Sequence, residues 1–311
     1  MKKKIFAKKT LSKNIFFYKY KNGSGIFNSS IEKLLKNKSF LNKYKNTFDL
    51  IFTSPPFPLL RKKKYGNKVG DEYIKWFSDF AEPLKQLLKK PTGSIVIEIG
   101  KGWEKKKPFL TTVDIEALLK FKEKGNYNLC QEFIWHNTAK LPSPAFWVNI
   151  KRVRVKDSFT RIWWLSPFLK PKANNKKILV KYSDKMKELL KKKKYNTGKR
   201  PSEHNIGDKS FLKNNKGAIP SNVLAFANTA NDLKYFNYCE KKKLTKHPAR
   251  MPKKIAEFFI KFLTEKGDYV FDPFSGSNTT GYVAENLKRK WISVEKNKEY
   301  TLGSFGKFIE N

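Results

Sequence analysis

The chain has 311 residues, with 67 Lys and Arg against 27 Asp and Glu, a formal net charge of +40. Hydrophobic residues at 39% and aromatics at 15% exclude a disordered chain and supply a core for one large α/β domain with an inserted lobe, or for two domains. Two cysteines far apart (Cys130, Cys239) and three scattered histidines (His136, His204, His247) argue against a disulfide framework and a metal site, and no apolar run approaches the ~18–20 residues of a membrane helix or the length of a signal segment.

A positive field of this size attracts polyanions, of which nucleic acid is the natural one. The same Lys- and Asn-rich texture also follows from a coding bias, so charge alone does not decide the partner. In chain order, residues 1–30 read as a basic entry segment punctuated by Asn, Gly and Ser, and Ile31 to Leu41 as a short amphipathic helix. Phe48 to Thr53 is a continuous apolar run, the pattern of a strand covered on both faces. It stops at Ser54-Pro55-Pro56, because proline lacks the donor that a central strand needs. Residues 61–70 form a basic loop, and Glu72 to Lys89 has the apolar spacing of one helix. A turn at Pro91-Thr92-Gly93 leads to a second buried strand, Ser94 to Ile99. Further signals run through Leu118, Phe133 and Ile162 to Leu165, and this βαβ rhythm predicts a mostly parallel sheet.

From Ser166 to Lys246 the rhythm fails, in a stretch rich in Lys, Asn and Gly that reads as an inserted, less regular lobe. Order returns with a helix over Ile255 to Leu263, a strand at Tyr269 to Phe271, a glycine loop, a helix from Thr279 and a strand from Trp291 to Val294. Small residues at Ser275, Gly276 and Ser277 let a ligand approach the backbone, and the helix start beyond them presents unpaired N–H groups. Glu295 ends the next strand, 19 positions past Gly276. An acid at about that distance holds a ribose diol in nucleotide-binding βαβ units. The full dinucleotide fingerprint is absent, since only Gly276 and Gly281 remain. S-adenosylmethionine has no pyrophosphate, and so needs a ribose clamp and an adenine slot but fewer phosphate-cradling glycines.

Ser54-Pro55-Pro56-Phe57 follows a buried strand, at the sheet edge where ligands bind in open α/β folds. An aryl amine is a poor nucleophile because its lone pair is delocalised into the ring. Two acceptors on its hydrogens, the Ser54 hydroxyl and the Pro55 carbonyl, favour a pyramidal and more nucleophilic nitrogen. Phe57 is placed to stack on a base turned out of the duplex. Taken singly, each segment also fits a plain turn; together they specify more.

With both segments in hand, the chain resembles the amino-methylating DNA methyltransferases of the permuted β class, where the catalytic motif precedes the cofactor motif. It is most similar to the cytosine-N(4) enzymes of type II restriction–modification systems. The likeness covers nearly the whole chain, through DLIFTSPPF (49–57), RKKKYGN (61–67), EYIKWF (72–77), KLPSPAFWVN (140–149), RVKDSF (154–159), WWLS (163–166), GAIPSN (217–222), HPARMPKKIAEFFI (247–260) and GSNTTG (276–281). The resemblance implies a Rossmann-like α/β methyltransferase fold with a mostly parallel sheet, circularly permuted motif order and an inserted target-recognition lobe. Residues 1–165 would form the catalytic part, 166–246 the target-recognition region and 247–311 the cofactor-binding part.

It implies catalytic roles for Ser54, Pro55, Pro56 and Phe57. It implies S-adenosylmethionine contacts for Asp272, Phe274, Gly276, Ser277, Asn278, Thr279, Thr280 and Glu295. Glu98 stands where the family usually has Asp, which keeps a carboxylate there, and the Gly-Asp that the family often carries is absent near Asn28-Ser29. Arg61, Lys62, Lys63 and Lys64 are expected on DNA phosphates. The implied setting is a cytoplasmic, prokaryotic monomer acting on double-stranded DNA, with no membrane and no metal, and with a cognate restriction endonuclease as genetic counterpart. Two rivals remain at this point. One is an adenine-N(6) methyltransferase, against which Ser54 counts because that group tends to carry Asp there. The other is a decayed methylase that binds its site without catalysis. Ring-carbon methylation needs a cysteine nucleophile, usually after proline, and Cys130 and Cys239 follow Leu129 and Tyr238.

Overall fold

The computed structural model describes residues 6–12, 15–59, 66–209, 211–228 and 232–309. Its backbone contacts divide the chain into a larger unit, Met1–Ala173 with Asn222–Asn311, and a smaller one, Asn174–Ser221. The larger unit opens with β1 (Ala7–Ser12), β2 (Ile15–Lys19), β3 (Gly25–Asn28), α1 (Ile31–Leu35) and α2 (Lys38–Tyr44). It continues with β4 (Leu50–Thr53), α3 (Gly70–Ser78), α4 (Ala81–Leu87), β5 (Ser94–Ile99), α5 (Val113–Lys124), β6 (Asn128–His136) and β7 (Phe159–Ser166). The smaller unit supplies α6 (Asp184–Lys192) and the two-residue strands β8 (Gly198–Lys199) and β9 (Asn205–Ile206). The chain returns through β10 (Val223–Ala225), α7 (Leu233–Lys241), α8 (Lys253–Leu263), β11 (Tyr269–Asp272), α9 (Thr279–Asn286), β12 (Lys290–Glu295), α10 (Lys298–Ser304) and a 3-10 turn at Phe305–Phe308.

One sheet runs through the larger unit in the order β1-β2-β3-β12-β11-β4-β5-β7-β6-β10. Its middle, from β3 to β5, is entirely parallel, with Val270 beside Leu50 and Ile292 beside Phe271. β7 runs antiparallel to both β5 and β6, β10 is parallel to β6, and β1 and β2 are antiparallel at the opposite edge. Strand residues alternate between two cores, as a period of two requires. Ile51, Ile95, Ile97, Phe271 and Ile292 join a cluster with α1 to α5. On the other face Phe52 meets Phe259, Trp164 meets Phe262, and Trp291 stacks on Phe308. The result is helices on both sides of a mostly parallel sheet, the layering that near-continuous apolar strands demand.

Residues 1–30 differ from the entry segment expected of them. They hold three strands, with β2 and β3 buried against the sheet and β1 exposed along its length. Lysines on an exposed edge strand discourage pairing with a second chain, which is why the segment looks like a charged tail in sequence. The helix expected over 31–41 is two, since Asn37 ends the first and caps the second by accepting from the Phe40 N–H at 2.9 Å. The single helix expected over 72–89 is also two. Pro83 lacks an N–H and its ring crowds the carbonyl four residues earlier, so α3 must end before it and α4 takes it in the first turn. Of the stretch 166–246, β10 and α7 belong to the larger unit, and the smaller unit is confined to 174–221.

The smaller unit is sparsely cored. α6 buries no side chain, although Ser183 caps it by accepting from Met186. Val180 and Ala218 exchange backbone hydrogen bonds of 2.9 Å, and Tyr195 packs edge-on against Phe211.

Candidate active site

The carboxyl ends of β3, β4, β5, β11 and β12 meet at one edge of the sheet, where an open cleft of about 1030 Å³ is formed. Ser54 follows β4 and is half-buried; Pro55 beside it is buried. Glu98, near the end of β5, is 3% exposed and lines the same cleft as Ser54. Burial pushes the Glu98 carboxyl above the usual range, opposed by Ser54, by Thr160 at the start of β7, and by the charge of Lys140. The Phe57 ring lies on the Gly100 backbone, where a Cβ would come within 2.3 Å of it, so glycine is required for that approach.

The cofactor loop joins the same edge. The Thr53 hydroxyl donates to Asp272 Oδ1 at 2.9 Å, which ties the end of β4 to the end of β11 across 219 positions of sequence. The Phe274 N–H donates to the same oxygen at 3.1 Å. Burial lifts the Asp272 carboxyl to about 6 against these donors and Thr280. Glu295 Oε2 accepts from the Gly276 N–H at 2.9 Å and Oε1 from the Asn297 N–H at 2.7 Å. Burial still lifts its carboxyl to about 7, with nearby Asp272 adding to the rise. Gly276 has φ +51°, and a Cβ there would stand 2.9 Å from His247 Nε2, so neither backbone nor space admits a side chain.

Ser54, Pro55, Pro56, Phe57, Glu98, Asp272, Phe274, Gly276, Ser277, Thr279, Thr280 and Glu295 all line the cleft. Asn278 does not. It is fully buried in the left-handed conformation, and its Oδ1 accepts from the Gly281 N–H and from Ser293 Oγ, so it caps α9. Arg61, Lys62, Lys63 and Lys64 lie outside the described residues. Several cleft residues escaped the sequence reading. Glu32 lines the end near β3 and accepts from Trp76 Nε1 at 2.8 Å. It supplies a carboxylate three residues past Ser29, the position where Asp is absent, with no motif to announce it. Lys101 and His247 also line the cleft; His247 heads a segment the resemblance had marked, and burial lowers its imidazole to about 4.

The donor set suits S-adenosylmethionine. Each Glu295 oxygen keeps a lone pair for a ribose hydroxyl after its backbone bond. Phe274 lies 5.7 Å from both Trp76 and Phe80, an aromatic wall suited to a purine. No group of three or more His, Cys, Asp or Glu able to hold a metal occurs among the described residues.

A strand-end carboxylate pair, a glycine loop and a Ser-Pro-Pro turn meet in one cleft at the edge of a parallel sheet, the layout of a nucleotide-type cofactor site. The DNA methylase family model matches residues 48–304, and the chain belongs to that family. Type II methyltransferase M.PvuII of Proteus hauseri is 42% identical over 94% of this chain and 86% of its own. Type II methyltransferase M.BglII of Bacillus subtilis is 27% identical over 82% of this chain and 62% of its own. Among solved structures, a PvuII DNA methyltransferase described as cytosine-N(4)-specific matches with a TM-score of 0.72 and 34% identity, over 92% of this chain and 86% of that one.

Proposed function

We propose that the chain methylates the exocyclic N(4) amine of cytosine in duplex DNA, as the modification member of a type II restriction–modification system. The carrying observation is that Ser54, after β4, and Glu98, in β5, line one cleft with the Asp272–Glu295 cofactor edge. The 42% identity to M.PvuII supports the choice of cytosine. S-adenosylmethionine, when bound, supplies a methyl group activated by a sulfonium. Glu295 holds the ribose hydroxyls, and Phe274 with Trp76 flanks the adenine. Glycine at 276 lets the loop close against His247 and present its backbone N–H to Glu295.

The chain's own residues then act on the amine. Ser54, with Glu98 beside it in the cleft, offers a lone pair to an amine hydrogen. The Pro55 carbonyl takes the other, held by the proline pair. Phe57, fixed from behind by Gly100, offers its remaining face to the base. As the new bond forms, the nitrogen becomes positive and must lose a proton. Ser54 passes one to Glu98, whose burial makes it a ready acceptor, or to water at the cleft mouth.

Residues 166–246 are assigned to target recognition. Arg61 to Lys64 are assigned to phosphates. The protein is read as a cytoplasmic monomer with a cognate endonuclease as its genetic counterpart. The test is to incubate protein, methyl-labelled cofactor and unmethylated duplex DNA, digest to nucleosides and identify the labelled one. N(4)-methylcytosine is expected. N(6)-methyladenine would overturn the choice of base, and no label would leave a protein that only binds.

A further inference from the structure

The connection between β6 and β7 has a composition that methyl transfer leaves unexplained. Residues 137–156 contain Lys140, Lys151, Arg152, Arg154 and Lys156 and no acid. Five large apolar side chains stand in solvent within the same stretch: Leu141 at 80% exposure, Phe146 at 46%, Ile150 at 69%, Val153 at 63% and Val155 at 87%. Exposed apolar residues are ordinary when scattered, but a concentration rimmed by charge marks a contact surface.

The loop is built rather than loose. Its neck is closed by the Asp157 N–H donating to the Ser143 carbonyl at 3.1 Å, and its tip by the Val153 N–H donating to Trp147 at 3.0 Å. A wide helical turn spans Phe146–Ile150, with Phe146 packed edge-on against Trp147. Arg154 is laid over Trp103 at 4.2 Å, which fixes one flank. The neck belongs to the cleft, because Asn137, Lys140, Ser143 and Asp157 line it.

Cations interleaved with apolar side chains suit a partner that presents phosphates beside a hydrophobic interior. A base inside the helix reaches the cleft only by leaving its stack, and the gap it leaves is apolar. Apolar side chains driven between bases stabilise such gaps in other DNA complexes. We propose that the loop 140–156 is a wedge that holds the duplex open at the target. Phe146 and Ile150 press into the stack beside the extruded nucleotide, while Lys151 and Arg152 hold the flanking phosphates. This rests on the DNA-methylating reading of the cleft, and a membrane surface is the competing occupant.

The test replaces Phe146 or Ile150 with the photo-crosslinking residue p-benzoylphenylalanine, and as control Leu119, which is 51% exposed on α5. The probe is unmethylated phage DNA, with anionic phosphatidylglycerol vesicles as competitor. Cross-links to DNA are expected from 146 and 150, absent from 119, and undiminished by vesicles. The Phe146→Ala/Ile150→Ala variant should methylate duplex DNA more slowly by on the order of tenfold or more, with cofactor affinity and salt dependence unchanged. Lys151→Ala/Arg152→Ala should instead flatten the salt dependence of binding by about 0.9 per lost phosphate contact. DNA binding without cross-links from either position, or cross-linking to vesicles in place of DNA, overturns the wedge alone. Failure to bind DNA at all overturns the functional reading with it.

Discussion

At the scale of single residues, the site depends on a few atoms whose removal gives separable outcomes. Ser54→Ala should lower turnover by about 10²–10³ while leaving the S-adenosylmethionine Kd in place, because the lost contact matters in the transition state. A turnover equal to the parent's would remove Ser54 from the chemistry. Gly100→Ala should act on the same step from behind, since its Cβ needs space that the Phe57 ring occupies. The expected result is lower turnover with cofactor affinity kept, seen by comparing single-turnover rates with calorimetry. Glu295 gives a pH signature. Its carboxyl is raised to about 7, so it is largely protonated below that pH, while a ribose hydroxyl donor needs it ionised. Cofactor affinity should therefore fall as pH drops below 7, by up to about tenfold per pH unit, and level off above it. The folded state also holds this proton more tightly than the unfolded chain. Its contribution to stability is full below the ordinary value of 4.5 and is lost as pH rises through 7. In Glu295→Gln both dependences should flatten, in calorimetry and in melting curves measured from pH 5 to 8.

At the scale of elements, the cofactor helix α9 is anchored from beneath by the end of the chain. Lys307, in the final 3-10 turn, is almost wholly buried; its Nζ donates to Asp232 at 2.6 Å and to Thr279 Oγ1 at 3.1 Å. Lys253 at the start of α8 reaches the other oxygen of Asp232 at 3.3 Å. Three elements distant in sequence thus converge on one carboxylate. Lys307→Ala should destabilise by about 3 kcal/mol, the low end for breaking a buried pair because Lys253 remains. Urea unfolding measures this, and Lys307→Met with Asp232→Leu should recover most of the loss, because no buried charge is then left and Lys253, 37% exposed, keeps its charge in solvent. Wild-type stability in Lys307→Ala would show that the pair does not hold α9. The same scale explains where sequence periodicity misled. Pro83 and Asn37 each split an apolar pattern that looks continuous, and both breaks follow from local chemistry already present in the letters.

At the scale of the whole molecule, the charge of +40 is spread over both units. The smaller unit alone has fourteen Lys or Arg against four acids, too strong an excess to come from one loop. Binding to DNA should weaken steeply with salt, at a slope near −0.9 for each phosphate contact. Neutralising Arg61, Lys62, Lys63 and Lys64 should weaken binding to every sequence alike and flatten that slope. Substitutions within 174–221 should instead change preference among sequences, because phosphates repeat along any duplex and base edges do not. A salt series on both sets of variants checks this, and an unchanged slope in the quadruple variant would place that loop off the DNA.

What the sequence determined by itself was local and chemical. The run 48–53 had to be a strand buried on both faces, Ser54-Pro55-Pro56 had to end it, and small residues at 275–277 had to form a tight loop before α9. Those features, together with the family resemblance they carry, pointed to the fold class and the methyl donor. Tertiary structure decided what depends on residues far apart in the chain. It paired Thr53 with Asp272 and set Glu98 against Ser54, since both are matters of strand register. It turned Asn278 from a cleft residue into a helix cap, and brought to the cleft Glu32, which no motif announces, and His247, whose segment was marked but whose place was not. It also made the sheet's edge from β1 and β2, in the basic opening segment. A strand's hydrogen-bond partners lie elsewhere in the chain, and only folding names them.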